Sequence, residues 1–217
     1  ADGTISPLSA LITAVILILA SLFISKLVNN HAFIVTIILI LLIFLYNGVA
    51  RKISPILGFV VMGSCRGMNI ILGASENLKD LPALLILIAI IETCYIAIIS
   101  ALAYKEAEKT PSKTLISTAN GIITLGLLLV MCKTGFSIPG ILGSALVIVN
   151  ILIIIYTIKP KYSQIIVTGK ITSLIRSLIL LQAAFILTSL PEMFQFAIIL
   201  YTLWILSLLL SRKFSGS

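Results

Sequence analysis

Charge is scarce in this sequence. Only 10% of its residues are charged, and Asp and Glu together number seven, a composition unlike that of a soluble domain. Histidine occurs once, as His31 between two apolar runs, which excludes a zinc site built from several imidazoles. The three cysteines, Cys65, Cys94 and Cys132, fall inside apolar segments, without paired metal-ligand spacing or the compact context of a disulfide framework. They read as buried free thiols. No basic cluster is present either: the fifteen Lys and Arg, with a net charge of +8, are scattered singly or in pairs among apolar runs rather than gathered on one face, so nucleic acid is excluded as a partner. The chain opens on Ala1-Asp-Gly-Thr without Met and without a charged leader and small-residue cleavage site. That start reads as a truncation.

What is present is apolar length. Of 217 residues, 60% are hydrophobic, and the mean hydropathy is +1.24. A helix needs about 20 apolar residues to cross the hydrocarbon core. Runs of that kind occupy residues 8–28, 31–49, 54–74, 81–103, 115–132, 138–157, 170–189 and 192–211. Helix breakers separate them: Asn29-Asn30, Arg51-Lys52 before Pro55, Glu76-Asn77, Thr110-Pro111-Ser112, Gly135, Pro160 and Pro191. The expectation is an all-α, polytopic transmembrane bundle of about eight spans, forming a single domain over 1–217.

Loop charges set the expected orientation. If loops alternate between two sides, the side of residue 1 takes Arg51, Lys52, Lys105, Lys109, Lys113, Lys159, Lys161, Lys170, Arg212 and Lys213. The other side has only Lys26, Lys79 and Lys133, while Arg66 and Arg176 lie within spans. Positive loops stay cytoplasmic, so both ends of this chain are expected there. Losing one central span would scramble the split.

The third run, Ser54 to Ser75, is unusual in its glycine and polar content. At helical spacing Gly58, Met62, Arg66, Asn69 and Gly73 share a stripe. The glycines serve either function or close helix packing in lipid. Arg66 is costly in hydrocarbon, about 2.5–3.5 kcal/mol on an insertion scale. It lines a polar cavity, or pairs with Glu92, the only carboxylate well inside a span, or does both.

In the next run Glu92, Tyr95, Ile99, Leu102 and Glu106 form a second stripe, which ends at the charged segment Lys105-Glu-Ala-Glu-Lys109. That segment is either a solvated loop or, through Glu106 and Glu108, a place to recruit a divalent ion. Arg51 and Lys52 fall on the same expected side, a grouping suited to a diphosphate. Tyr46 and Asn47 stand just before that basic pair, as hydrogen-bonding groups or, for Tyr46, as an interfacial anchor. Arg176 and Gln182 are weaker candidates, because Arg176 lies near enough to a helix end to snorkel.

The stretches Tyr46-Asn-Gly-Val-Ala-Arg-Lys52 and Met62-Gly-Ser-Cys-Arg-Gly-Met-Asn-Ile-Ile-Leu-Gly73 resemble the UbiA prenyltransferase superfamily, and within it the EboC-like branch. Glu106 is similarly placed to a glutamate after the following helix in that branch. Gly3-Thr-Ile-Ser-Pro7 looks like the segment after the family's first aspartate-rich motif. The resemblance implies a helical bundle whose cytoplasm-facing cavity transfers a prenyl group from its diphosphate to an acceptor, with Mg2+ held by two acidic motifs. By position it implies Arg66, Asn69 and Glu106 as catalytic residues. Tyr46, Asn47, Arg51, Lys52, Arg66 and Asn69 become substrate contacts, and Glu106 and Glu108 metal ligands.

Two departures accompany it. The Asn-Asp-x-x-Asp-x-x-x-Asp type of motif and about two helices belong ahead of Ala1, and the second acidic motif is reduced to Glu106-Ala-Glu108. With eight spans here the total would also exceed the family's usual nine, so either one run is not a span or this branch has an extra one. A membrane protein that binds or moves a lipid-like metabolite without chemistry therefore stands as the alternative. A solute transporter ranks third, since no internal repeat is visible.

The sidedness is testable with single cysteines in a cysteine-free background. A cysteine at Lys52 or Lys213 should react with an impermeant maleimide only from the cytoplasmic side, and one at Lys133 only from the opposite side. Labelling of Lys52→Cys and Lys133→Cys from the same side would overturn the alternation.

Overall fold

The computed structural model describes residues 6–75, 82–107, 113–156 and 164–214, and all its regular structure is helical. The expected breaks at Glu76-Asn77, Thr110-Pro111-Ser112 and Pro160 lie outside these residues, as do Gly3 to Ile5, Lys79, Glu108, Lys109, Lys159 and Lys161. Each of the eight apolar runs is a helix. The order is α1 (Pro7–Val28), α2 (Asn30–Leu45), a π turn over Tyr46–Ala50, α3 (Arg51–Ile53), α4 (Pro55–Gly73), α5 (Ala83–Ala107), α6 (Lys113–Thr134), α7 (Ile138–Tyr156), α8 (Gln164–Ser189) and α9 (Phe194–Phe214). Counting α2 to α3 as one continuous span, eight helices among the described residues are long and apolar enough to cross a bilayer.

Local chemistry explains where they stop. Asn29 is extended, and its side chain accepts the backbone N–H of Ala32 at 2.7 Å, capping α2. Ser6 caps α1 in the same way through the N–H of Ser9. Pro55 occupies the first turn of α4, where its missing N–H costs nothing, after an extended Ser54. Gly135 closes α6 with φ of 91°, a conformation that side chains disfavour. Some boundaries differ from the sequence reading. The second run, read as 31–49 with its break at Arg51-Lys52, continues through the π turn and α3 and breaks only at Ser54, and α8 begins at Gln164 rather than at residue 170.

Four of the helices pack around α8. It touches α5, α6, α7 and α9, and it is the most enclosed of the spans. Its inward face, with Leu174, Ser177, Leu181 and Ala184, meets Ile91, Tyr95 and Ile99 of α5, Ile123 and Leu127 of α6 and Val147 and Ile151 of α7. Polar bonds fix the register of that core: Tyr95 Oη donates to the carbonyl of Leu174 at 2.9 Å, and Ser177 Oγ donates to Asn150 Oδ1 at 2.8 Å. The expected α5 stripe is this inner face, since Glu92, Tyr95, Ile99 and Leu102 are all buried. The outer surfaces carry exposed leucine, isoleucine, valine and phenylalanine along every span. So extensive an apolar surface identifies an integral, multi-pass membrane protein.

The thiols require a correction. Cys65, Cys94 and Cys132 are free, but only Cys65 is partly covered, while Cys94 and Cys132 face outward. In a bilayer an outward side chain is still in an apolar medium, so hydropathy does not separate core from lipid contact.

The α1–α2 hairpin leans on α4, and α4 joins the rest through α5 in the most extensive helix pairing of the structure. Gly63 and Gly67 make that pairing close. A Cβ on Gly63 would collide with the carbonyl of Thr93 and approach Ala97 Cβ to 3.2 Å. One on Gly67 would collide with the Thr93 hydroxyl and come within 2.9 Å of the Ala89 carbonyl. This is small-residue packing across antiparallel helices. Gly58 and Gly73, picked out from the sequence, do not form the seam: Gly58 meets Arg51, and Gly73 faces open space.

Gly67→Val should therefore destabilise the protein by about 1–3 kcal/mol or more, because behind the Thr93 hydroxyl it meets the Ala89 carbonyl, backbone that cannot swing aside. Gly73→Ala should leave stability unchanged or slightly raised. Thermal unfolding in detergent measures both, and equal effects at the two positions would refute the seam.

Candidate functional site

Arg66 lies within α4, one residue from the Gly67 seam, and Glu92 lies within α5 beside Thr93. The close approach of the helices lets Arg66 Nε donate to Glu92 Oε2 at 2.9 Å. The Glu92 side chain has no exposed surface, whereas that of Arg66 is 32% exposed. Pairing answers the cost of each charge in an apolar medium. Of the sequence readings of Arg66, the ion pair with Glu92 is thus observed.

Arg66 holds only one carboxylate oxygen. Glu92 Oε1 is buried without a hydrogen-bond partner among the described residues. Gln182 of α8 lies beside the carboxylate without completing a bond to that oxygen. Both residues line a cavity of about 420 Å³ bounded by α4, α5, α8 and α9 at the Pro82 end of the bundle. Gln182 is only a weak candidate in the sequence, where nothing shows which α8 face meets Glu92. Ser189, which lines the same cavity, gave no signal at all.

The remaining site residues separate into two places. At the Tyr46 end, the π turn sets residues five apart in line, and the Arg51 guanidinium lies over the Tyr46 ring, 5.7 Å from its centroid. Asn47 is exposed and donates to its own helix at the Ile43 carbonyl, 3.0 Å away. Lys52 is exposed. Arg51 rests its stem on the Gly58 position. Eight residues of helix, roughly 12 Å of rise, separate Gly58 from Arg66, so the structure does not bring the Tyr46–Lys52 turn and Arg66 together. Along the expected α4 stripe, burial falls from Gly58 through half-buried Met62 and Arg66 to exposed Asn69 and Gly73.

Glu106 belongs to the last turn of α5, although its side chain, like all of Glu108, lies outside the described residues. The position of its helix end is nevertheless clear. Phe59 and Tyr104 stack edge to face with ring centroids 5.7 Å apart, so the start of α4 and the end of α5 sit at one end of an antiparallel pair. Arg51, Lys52 and the Glu106 turn share that end. Among the described residues no three His, Cys, Asp or Glu side chains gather as metal ligands. The expected magnesium ligands, Glu106 and Glu108, have side chains outside the described residues, and no chemical step is assigned to the ion.

Compared with family models, curated proteins and solved structures, the chain matches none.

A double-mutant cycle tests the ion pair. Arg66→Met should cost about 3–5 kcal/mol by stranding the buried Glu92 carboxylate, Glu92→Leu should cost less because the guanidinium left behind is partly exposed, and the double variant should recover much of the loss. Additive losses in equilibrium unfolding would show that the two side chains are not coupled.

Proposed function

We propose that this chain is the membrane-embedded body of a prenyltransferase-like protein that passes a prenyl group from an isoprenoid diphosphate to an acceptor. One observation carries the reading: the antiparallel α4–α5 pair sets Arg51, Lys52 and the Glu106 turn at the same end of an otherwise apolar bundle. The likeness of the Tyr46–Lys52 and Met62–Gly73 stretches to the UbiA superfamily supports it from the sequence side. With ten Lys and Arg against three on the alternating loops, we place this end in the cytoplasm.

In that reaction the allylic C–O bond breaks, diphosphate leaves with the electron pair, and the acceptor nucleophile bonds to the carbon and gives up a proton. The contribution of this chain is electrostatic. Arg51 and Lys52 neutralise charge gathering on the leaving oxygens, the Tyr46 ring holds the Arg51 guanidinium in place, and apolar helix faces take the tail.

A second reading, binding or movement of a lipid-like metabolite without chemistry, is favoured by a different observation. The charge of Arg66 is already answered by Glu92 within the protein, which leaves less of it for a diphosphate.

Binding of radiolabelled farnesyl diphosphate to the full protein in proteoliposomes separates them. The Arg51→Ala/Lys52→Ala variant should bind at least about tenfold more weakly, and the unaltered protein should turn over in the presence of magnesium and a suitable acceptor. Unchanged binding by the variant overturns the head-group assignment. Magnesium-independent binding without turnover selects the second reading. Wild-type transfer by Arg66→Ala would remove Arg66 from the substrate contacts.

A further inference from the structure

The cavity beside Glu92 lies at the opposite end of the bundle from the Tyr46–Lys52 turn. From Glu92 to Glu106 is fourteen residues of α5, roughly 21 Å of rise, so the two places are separate. Its volume of about 420 Å³ lies within the range of roughly 300–1,000 Å³ found for small-molecule sites. Its walls are apolar, with Ile70, Leu85, Ile88, Phe185 and Leu200 among them.

Unsatisfied polarity is concentrated here. Four buried side-chain polar atoms lack a partner among the described residues, and two of them, Glu92 Oε1 and Ser189 Oγ, belong to residues that line this one cavity. A buried polar atom without a hydrogen bond is costly and calls for a partner. Water can meet Glu92 Oε1 and the Gln182 amide but leaves the apolar walls without contacts, and Ser189 lies seven residues, roughly 10 Å, along α8 from Gln182.

Charge narrows the choice of ligand. Arg66 already balances Glu92, so a cation would bring an unpaired charge into an apolar pocket, and an anion would face the carboxylate. What remains is a neutral donor on an apolar body. We infer that this cavity binds an uncharged, chain-like apolar molecule ending in a hydroxyl. The hydroxyl donates to Glu92 Oε1, and the chain runs between α5 and α8 toward Pro82 and Leu190, past the Ser189 hydroxyl. A long-chain or prenyl alcohol has that chemistry. The site stands independently of the diphosphate end and of any transfer reaction.

The test uses the unaltered chain in lipid nanodiscs, labelled with a diazirine-bearing dodecan-1-ol and competed with dodecan-1-ol or with its methyl ether, which has the same chain but no donor. Crosslinks should map to Ala83–Glu92 and Gln182–Leu190, and the alcohol should compete at about tenfold lower concentration than the ether, or better. Leu85→Trp fills the cavity without touching the ion pair and should abolish the crosslinks. Equal competition by the ether would show that no hydrogen bond is made and would overturn the inference. Crosslinks elsewhere, or labelling that survives Leu85→Trp, would do the same.

Discussion

In hydrocarbon a charge has to find its opposite, and the centre of this bundle is arranged around one such meeting. Arg66 and Glu92 belong to consecutive spans, and each would be poorly tolerated alone. Their 2.9 Å contact depends on the backbones of α4 and α5 lying unusually close, which Gly63, Gly67, Ala89, Thr93 and Ala97 permit. The same approach sets the Phe59–Tyr104 contact and with it the position of the two helix ends. Seam and ion pair are thus mutually dependent: larger side chains would part the charges, and an unpaired charge would oppose docking.

The helices were legible because a bilayer demands length and apolarity, and a sequence displays both directly. Asn29, Pro55 and Gly135 acted as punctuation for reasons that hold residue by residue. The Arg66 partner was legible too, since no other carboxylate lies well inside a span. What the sequence did not disclose depends on which way helices face. Cys94 and Cys132 have the apolar surroundings of a core yet look outward, because lipid and core share the same hydropathy. Gln182 and Ser189 gain meaning only from α8 turning that face to α5. The π turn at Tyr46–Ala50 carried no local signal, as its residues have no special preference for it.

Polar function in this chain therefore has two locations. One is basic, exposed and aromatic-backed, at Tyr46 to Lys52. The other is internally neutral and apolar, around the buried Glu92. A single amphiphile could not join the head-group contacts of one to the carboxylate of the other without spanning most of the hydrocarbon thickness, so the two places answer to different chemistry. The stripe linking Arg66 to Asn69 on paper divides in three dimensions, with one residue turned toward α5 and the other toward the outside.

The central position of α8 bears on how such a chain is made. Spans leave the ribosome in order, and α8 follows α5 and α7, whose polar groups it meets. Until it arrives, Tyr95 has no Leu174 carbonyl to meet, Asn150 has no Ser177, and the Glu92 side of α5 lies open. A ribosome stall ahead of α8 would thus leave these polar groups turned to lipid, a natural substrate for membrane quality control.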